Sequence, residues 1–216
     1  MCTAYKIGNV ERFDVDWLVA DAFEAAMADE EMYQIIRPTL RAPVAMADGK
    51  IRIMAWGFRR PVPGGKTKQL WRTIVNSRED KLQGGTWGKA FRERRCLIPA
   101  ASFFEWVEGP DKKAMPLEFT RPGGQGLWIA GIWEEDKERG QCFSMITTEP
   151  TAAIQPVHDR MPAVLASDQL RPFMNFELNE FGPSAVPLVW KETENFLKRK
   201  PEKPMPPKGP VQGELF

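Results

Sequence analysis

GLWIAGIWEEDKERGQCFSMITTE (residues 126–149) contains two runs rich in aliphatic and aromatic residues, separated by a charged segment. Each run is too short for a typical helix, and both have the length and the residue types of a β-strand. The segment between them is polar enough to turn the chain at the surface. We therefore predict two strands joined by a charged turn, and this pair sets the fold class of the chain.

Further short strands are predicted on both sides of this pair. They are APVAMADGKIRIMAWGF (residues 42–58, a hairpin turning at Asp48-Gly49), RCLIPAASFFEWVEG (95–109, a strand ending in a turn), MPLEFT (115–120) and AVPLVW (185–190). Short strands at near-regular spacing with few helices predict an α+β fold that is antiparallel and β-rich, and curled or barrel-like with peripheral helices.

Helices are predicted only beside this strand pattern. FDVDWLVADAFEAAMADEE (residues 13–31) has an apolar stripe at helical spacing, and TWGKAFRERR (86–95) and SDQLRPFM (167–174) are shorter helical segments. From Lys198 the sequence is rich in Pro and Lys. We therefore divide the chain into a folded domain, residues 1–197, and a flexible tail, residues 198–216.

Composition limits the class of protein. A chain of 216 residues with 43% hydrophobic residues can form one domain with a substantial core. No apolar run is long enough to cross a membrane, and three cysteines form no disulfide framework, so we expect an intracellular protein. No feature of the sequence suggests an obligate dimer, and we expect a monomer. One histidine and three scattered cysteines lack the spacing of a zinc site, and we expect neither a metal nor a cofactor.

The charge distribution singles out residues 41–100. This segment holds 14 Lys and Arg against 4 Asp and Glu, a net charge of 14 − 4 = +10. Its aromatic residues are Trp56, Phe58, Trp71, Trp87 and Phe91. Cations that follow phosphates and aromatic rings that stack on bases are typical of single-stranded nucleic-acid binding. Alternatively, the segment forms a solvated basic face over ordinary core aromatics.

Cys2 offers chemistry that no internal cysteine has. The initiator methionine is normally removed when a small residue follows, so the mature chain would begin at Cys2. A neutral terminal amine attacks an aldehyde to give an imine, and the thiol of the same residue can then close a five-membered thiazolidine ring. Cys2 is therefore an aldehyde trap, a plain thiol nucleophile, or a residue without a reaction.

Four more residues have side chains that such a reaction would use. His158, the only histidine, lies in PVHDRMP and could carry protons near neutral pH. Glu105 lies between two Phe and a Trp, where burial would raise its pKa. Asn76 and Arg78 in IVNSRED would face the same side of a strand. Alternatively, Glu105 faces solvent and His158 is a surface residue.

Four motifs in order resemble one known family. They are the Cys directly after Met1, NSRED (76–80), RCLIPAASFFEW (95–106) and HDRMP (158–162). Together they resemble the SOS response-associated peptidase (SRAP) family, up to about Trp190. The resemblance implies a barrel-like α+β fold with a positively charged groove that binds abasic sites in single-stranded DNA. It also implies a thiazolidine crosslink between Cys2 and the sugar aldehyde, with AP-lyase activity from the imine stage.

The resemblance implies catalytic roles for three more residues. Asn76 would position the opened sugar, Glu105 would transfer protons, and His158 would assist ring opening and the reverse reaction. Many family members begin Cys-Gly-Arg, whereas this chain begins Cys2-Thr3-Ala4, so one phosphate contact of the family is missing.

The resemblance also implies contacts with DNA. Arg78 and Arg160 would bind phosphates, and Thr147 or Thr148 would add a further contact. Trp71 is our candidate for the side chain that separates bases beside the lesion. A protein with these contacts would work in the cytoplasm at the nucleoid of a bacterium, from a bacterial or phage-derived gene.

Two other classes of function remain open. Cys2, His158 and Glu105 could serve as nucleophile, base and orienting group of a cysteine peptidase, which we would expect to act on its own N-terminus. The basic segment alone would suit a non-covalent binder of single-stranded DNA.

The terminal QGELF, residues 212–216, resembles the Gln-x-x-Leu-Phe peptide by which bacterial proteins dock on the replication sliding clamp. Alternatively, Leu215 and Phe216 fold back onto the domain.

Overall fold

The computed structural model describes residues 2–7, 34–62, 70–109 and 111–198, and most of them lie in strands. The strands are β1 (Ala4–Lys6), β2 (Ile35–Ile36), β3 (Arg41–Ala45), β4 (Ile51–Trp56), β5 (Phe58–Val62), β6 (Leu70–Ile74), β7 (Asn76–Arg78), β8 (Arg95–Ala100), β9 (Ser102–Glu108), β10 (Ala114–Thr120), β11 (Leu127–Asp136), β12 (Gly140–Thr148), β13 (Met161–Pro162), β14 (Val164–Leu165) and β15 (Val189–Glu192). The helices are α1 (Gly88–Glu93) and α2 (Ser167–Met174), with 3-10 turns at Glu79–Lys81, Pro122–Gly124 and Phe196–Lys198. The predicted helix at residues 13–31 and tail residues 199–216 lie outside the described residues.

Five strands close into a barrel. β12 pairs in parallel with β4, the antiparallel neighbours β3, β8 and β11 follow, and β11 pairs back onto β12. The segment at residues 126–149 forms the β11–β12 hairpin of this barrel, which pairs from Asp136 with Gly140 to Gly131 with Met145. The predicted barrel-like α+β fold is thus confirmed.

A second sheet carries the N-terminus of the described chain. Its five strands run in the order β15, β10, β9, β1, β2. The prediction of one strand through residues 95–109 is wrong, because the chain bends at Ala101 and β8 stays in the barrel while β9 crosses to the second sheet. β1 pairs with β9 through Ala4 and Phe104, so the bend brings the N-terminus against the strand that carries Glu105.

Two apolar clusters hold these layers together. Because side chains alternate along a strand, Ile98 of β8 faces one cluster and Leu97 faces the other. The first cluster joins the barrel to the second sheet and contains Phe103, and the second packs the two helices on the barrel through Phe91 and Phe173. Full burial of such a side chain stabilises the fold by roughly 1.5–3 kcal/mol.

Most of the remaining predictions on secondary structure agree with the fold. The hairpin with its turn at Asp48-Gly49 is confirmed as β3–β4, and the two shorter helices are confirmed as α1 and α2. The last strand begins later than predicted, at Val189. The β5–β6 hairpin was not predicted; it follows Gly57, whose φ of +119° favours glycine. Within the described residues, none of the helices has the length and hydropathy of a bilayer span.

Candidate functional site

Cys2 lies in the interior, immediately before β1. Its side chain is fully buried, and its thiol donates to the Ala4 carbonyl at 3.2 Å. Because β1 pairs with β9 and β2, a β-ladder anchors the segment that carries this residue. Burial raises the pKa of the Cys2 thiol well above its usual range, and the charge of Glu105 raises it further. The thiol is therefore protonated at neutral pH.

Asn76 ties the barrel to this N-terminal segment. It begins β7, which pairs in parallel with β12 and sets Asn76 beside Met145. The Asn76 side chain is buried, and its Nδ2 donates to the Cys2 carbonyl at 2.8 Å. Its Oδ1 has no partner among the described residues. Asn76 therefore holds the backbone of Cys2 and keeps an acceptor for a further group.

Glu105 supplies a buried carboxyl group beside Cys2. It lies on β9 with 2% of its surface exposed, so the alternative of a solvent-facing Glu105 is wrong. Burial raises the pKa of Glu105 to about 7. Its charge acts on the Cys2 thiol, so the two side chains are close enough to interact. A carboxyl group with this pKa can both donate and accept a proton near neutral pH.

His158 lies in the loop that follows β12 and is half-buried. Its Nδ1 accepts the Arg160 backbone N–H at 3.0 Å. The Asp159 carboxylate lies 2.8 Å from the same nitrogen and favours protonation, but burial dominates and lowers the pKa of His158. We therefore assign a neutral imidazole with the proton on Nε2, since Nδ1 must keep its lone pair.

Two arginines beside His158 are held by two carboxylates. Arg78 forms a bidentate pair with Asp80, Nε to Oδ1 at 2.9 Å and Nη2 to Oδ2 at 2.8 Å. Arg160 bonds Glu79 at 3.1 Å and lies 3.4 Å from Asp80. The Arg78 side chain is 41% exposed and that of Arg160 only 13%, so Arg78 is the more available to a phosphate. Because Glu79 and Asp80 directly follow Arg78 in NSRED, the sequence allows them either to orient the arginine or to solvate the turn. In the structure Asp80 bonds Arg78, whereas Glu79 bonds Arg160.

A groove of about 690 Å³ brings together His158, Arg78 and Arg160, whereas Cys2, Asn76 and Glu105 do not line it. Its lining consists of Arg78, Glu149, Pro150 and residues 155–160. Thr147 and Thr148 at the end of β12 are both fully buried. The Thr148 hydroxyl donates to Glu79 at 2.8 Å and lies 3.2 Å from the Gly182 carbonyl, whereas the Thr147 hydroxyl has no partner among the described residues. Thr147 is therefore the better candidate of the two for a contact with a ligand.

The aromatic residues of the segment at 41–100 separate into two groups. Trp71 on β6 is 47% exposed, and the Arg59 guanidinium stacks on its ring at 4.2 Å. The other four aromatics that suggested base stacking are buried: Trp56, Phe58, Trp87 and Phe91. The interpretation of this segment as a stacking platform is therefore wrong for all but Trp71, because core packing uses the rest.

Comparison with solved structures shows a known fold. A protein from Bacteroides thetaiotaomicron superposes with a TM-score of 0.68 and 17% identity, over 94% of this chain and 97% of that one. A protein from Bordetella bronchiseptica superposes with a TM-score of 0.67 and 19% identity, over 90% of this chain and all (100%) of that one. These likenesses establish the fold alone.

Curated relatives and a family model match the sequence itself. The chain is 31% identical over 135 residues to the abasic site processing protein YoaM of Bacillus subtilis, covering 59% of this chain and 56% of that protein. It is 30% identical over 162 residues to the abasic site processing protein HMCES of Xenopus tropicalis, covering 60% of this chain and 47% of that protein. The chain thus spans about half the length of these relatives. The SOS response associated peptidase (SRAP) model matches residues 1–195, so the chain belongs to the SRAP family.

Proposed function

We propose that this chain processes abasic sites in single-stranded DNA by trapping the sugar aldehyde at Cys2, which becomes the terminal residue once Met1 is removed. The observation that carries the proposal is the bond from Asn76 to the Cys2 carbonyl at 2.8 Å, beside a buried Glu105. This arrangement holds the residue that bears the nucleophiles next to a proton donor. The names of the curated relatives support the same substrate.

The reaction begins at the amine of Cys2. The amine adds to the aldehyde carbon to give a carbinolamine, and acid-assisted loss of water from the carbinolamine gives a protonated imine, an iminium ion. Because the pKa of Glu105 is about 7, a substantial fraction of the protein holds a proton there at neutral pH. Glu105 donates this proton to the departing hydroxyl group and is left as a carboxylate.

The thiol reacts second, because burial keeps it protonated in the resting protein. The Glu105 carboxylate takes the thiol proton as sulfur bonds to the imine carbon. The nitrogen of the iminium ion already carries a proton, so ring closure gives the neutral thiazolidine and returns Glu105 to its acid form. The product is a thiazolidine, which resists hydrolysis better than the imine does.

His158 and the polar groups around it act on the sugar and the phosphates. The sugar opens to its aldehyde as the proton of its anomeric hydroxyl group moves to the ring oxygen, and the Nε2–H of the neutral imidazole donates a hydrogen bond to that oxygen. Arg78 binds a phosphate with the donors that Asp80 leaves available, and Arg160 contributes a weaker contact because its guanidinium is mostly covered. The Thr147 hydroxyl donates to or accepts from the opened sugar, and Asn76 Oδ1 accepts from it, since both oxygens have no partner in the described residues. Trp71 stacks on a base beside the lesion.

The same imine would allow strand cleavage. Removal of a proton from the sugar carbon next to the imine would expel the 3′ phosphate by β-elimination, which is AP-lyase chemistry. Ring closure by the thiol competes with this step, so Cys2→Ser should cleave more DNA than the wild type while forming less stable adduct.

A cysteine peptidase is favoured less by this geometry. Such enzymes activate the thiol by pairing it with an imidazole or another cation that lowers its pKa. Here the thiol donates to the Ala4 carbonyl, and burial and Glu105 both raise its pKa. An aldehyde trap, in which the amine attacks first, needs no thiolate at rest.

Intact mass spectrometry tests the proposal. Wild-type protein is mixed with a single-stranded oligonucleotide that carries one abasic site. We expect a mass without Met1 and a denaturant-stable adduct. Cys2→Ser should give an adduct only after borohydride reduction, because it keeps the amine and loses the thiol, and Cys142→Ala should react like the wild type. An adduct of equal stability in Cys2→Ser would contradict the proposal.

The proposed domain division and partner concern the C-terminal end. We propose a domain at residues 1–197 and a tail at residues 198–216, because the family match ends at residue 195.

The apolar pair Leu215 and Phe216, which ends QGELF, would bind the sliding clamp and bring the domain to replication forks at the nucleoid. Equal retention on immobilised clamp of the full chain and a chain lacking residues 212–216 would rule this partner out.

A further inference from the structure

Glu79 bonds to both ends of the loop that carries His158. This groove loop, residues 149–160, leaves β12 and returns to β13. At its start, the Glu149 backbone N–H donates to Glu79 Oε1 at 3.1 Å. At its end, Arg160 Nη1 donates to the same oxygen at 3.1 Å. The second oxygen, Oε2, accepts from the Thr148 hydroxyl at 2.8 Å, one residue before the loop.

Between these ends the groove loop is bonded mainly to itself. The Ile154 N–H donates to the Thr151 carbonyl, and the His158 N–H donates to the Ile154 carbonyl, both at 2.9 Å. The middle of the loop is anchored by Ile154, which is fully buried in the first apolar cluster. The contacts at the end near Arg160 therefore decide the placement of the residues that follow Ile154, and His158 is one of them. Glu79 is 15% exposed in its side chain, so its bonds to those ends are partly shielded from water.

The geometry points to Glu79 as a positioning residue that clasps the two ends of the groove loop and thereby fixes His158 over the groove. Asp80 contrasts with it, because Asp80 bonds Arg78 and approaches Arg160 but has no bond to the start of the loop. A carboxylate suits the clasp because both of its oxygens accept only, and three donors converge on them. An amide at this position would turn its NH₂ group toward at least one of those donors.

The pKa of the His158 imidazole indicates whether this clasp is intact. The charged groups that act on it are Arg78, Glu149, Asp159 and Arg160 in the groove, together with the N-terminal ammonium group, and all of them are the same in the variants compared below. Loss of the Glu79 charge alone would lower the pKa of His158, because a nearby anion favours the imidazolium. Release of the loop would instead admit water and raise that pKa towards its ordinary value. A rise in the His158 pKa therefore indicates that the groove loop has loosened, whereas a fall indicates only the loss of the Glu79 charge.

The test is an NMR titration of His158, whose imidazole signal is unique because the chain has one histidine. In Glu79→Gln we expect a higher His158 pKa than in the wild type. In the matched control Asp80→Asn we expect no rise. An unchanged or lower pKa in Glu79→Gln, or an equal rise in both variants, would overturn the clasp. Should Glu79→Gln not fold, Thr148→Val removes one of the three donors, and the absence of any rise in that variant would overturn it.

The effect on the reaction rests on the proposed function. At saturating abasic-site DNA, Glu79→Gln should slow adduct formation by about 10-fold to 100-fold, because misplacement of a catalytic group by about an ångström can cost about 100-fold. A rise of the His158 pKa with no change in this rate would show that the clasp does not serve the reaction, which overturns its positioning role. If the wild type forms no adduct, the proposed function fails, while the titration still decides whether Glu79 holds the loop.

Discussion

The corner around Arg95 and the site around Cys2 both bury an ionisable side chain, but they use its hydrogen-bonding groups differently. Arg95 is 3% exposed, and its guanidinium donates to the carbonyls of Phe91, Phe173 and Leu178 and to Asn179 Oδ1, at 2.6–3.0 Å. Around Cys2, Asn76 Oδ1 and Thr147 Oγ1 are buried and have no partner within the described part of the chain.

This difference separates stability from reactivity. A buried polar group that is fully bonded stabilises the fold, whereas one without a partner costs about 1–3 kcal/mol. The Arg95 corner joins α1 to α2 and the segment after it, and three aromatic rings lie within 5.0 Å of its guanidinium carbon. The Cys2 site keeps groups that a bound sugar could satisfy. Substitutions at the Arg95 corner should therefore lower the free energy of unfolding, whereas substitutions in the Cys2 site should leave it level or raise it.

The largest expected effect is the loss of Arg95. Arg95→Met leaves four acceptors without their donor and should lower the free energy of unfolding by about 3 kcal/mol or more. Urea unfolding measures this loss. The control Arg92→Met, on the exposed side of α1, should stay within about 0.5 kcal/mol of the wild type. Equal losses in the two variants would erase the contrast between the two regions.

Glu105 should make stability depend on pH in the opposite sense from a paired carboxylate. The pKa of Glu105 rises from an ordinary 4.5 to about 7 in the fold, so the folded chain holds a proton that the unfolded chain has released. The contribution of Glu105 to stability is therefore complete below pH 4.5 and is lost as pH rises through 7.

Unfolding of the wild type and of Glu105→Gln at several pH values between 4.5 and 8 checks this sign. The difference between them should grow in favour of the variant as pH rises, by a few kcal/mol at most, because an amide carries no charge to desolvate. The titration of His158 is common to both proteins and cancels in the difference. A difference that does not vary with pH would contradict the raised pKa.

Thr147→Val should change the free energy of unfolding less than the substitutions above, but it should slow adduct formation. Thr147→Val removes a buried hydroxyl that lacks a partner in the described residues, so the free energy of unfolding should stay level or rise by about 1 kcal/mol. Adduct formation with abasic-site DNA should slow, because the hydroxyl is lost to the sugar. A clear loss of stability would show that this hydroxyl is already used in the fold.

Arg78 should have the smallest effect on stability. Its side chain is 41% exposed and its pair with Asp80 lies at the surface, so Arg78→Gln should change the free energy of unfolding by less than about 0.5 kcal/mol. The logarithm of the affinity for single-stranded DNA should depend less steeply on the logarithm of salt concentration, by about 0.7 in slope for one lost phosphate contact. An unchanged slope would remove Arg78 from the DNA contacts.

The sequence predicts elements well where a local pattern decides them. The β11–β12 hairpin, the turn at Asp48-Gly49 and the helix α2 follow from runs of residues that neighbour each other in the chain. The local pattern does not predict the bend at Ala101, because apolar residues continue through it and pairing with β1 decides the path of β9. β15 likewise begins at Val189, later than the sequence predicts, because its pairing with β10 begins there.

The sequence alone determined which chemistry this protein can attempt: Cys2 behind Met1, a single histidine, a carboxylate among aromatics, and motifs that identify the SRAP family. These features depend on residue type and order. The tertiary structure decided which basic and aromatic residues reach the surface, that Asn76 bonds a residue 74 positions away, and that Glu79 bonds one 81 positions away. Such contacts are set by strand register and packing between distant segments, which a local pattern does not record.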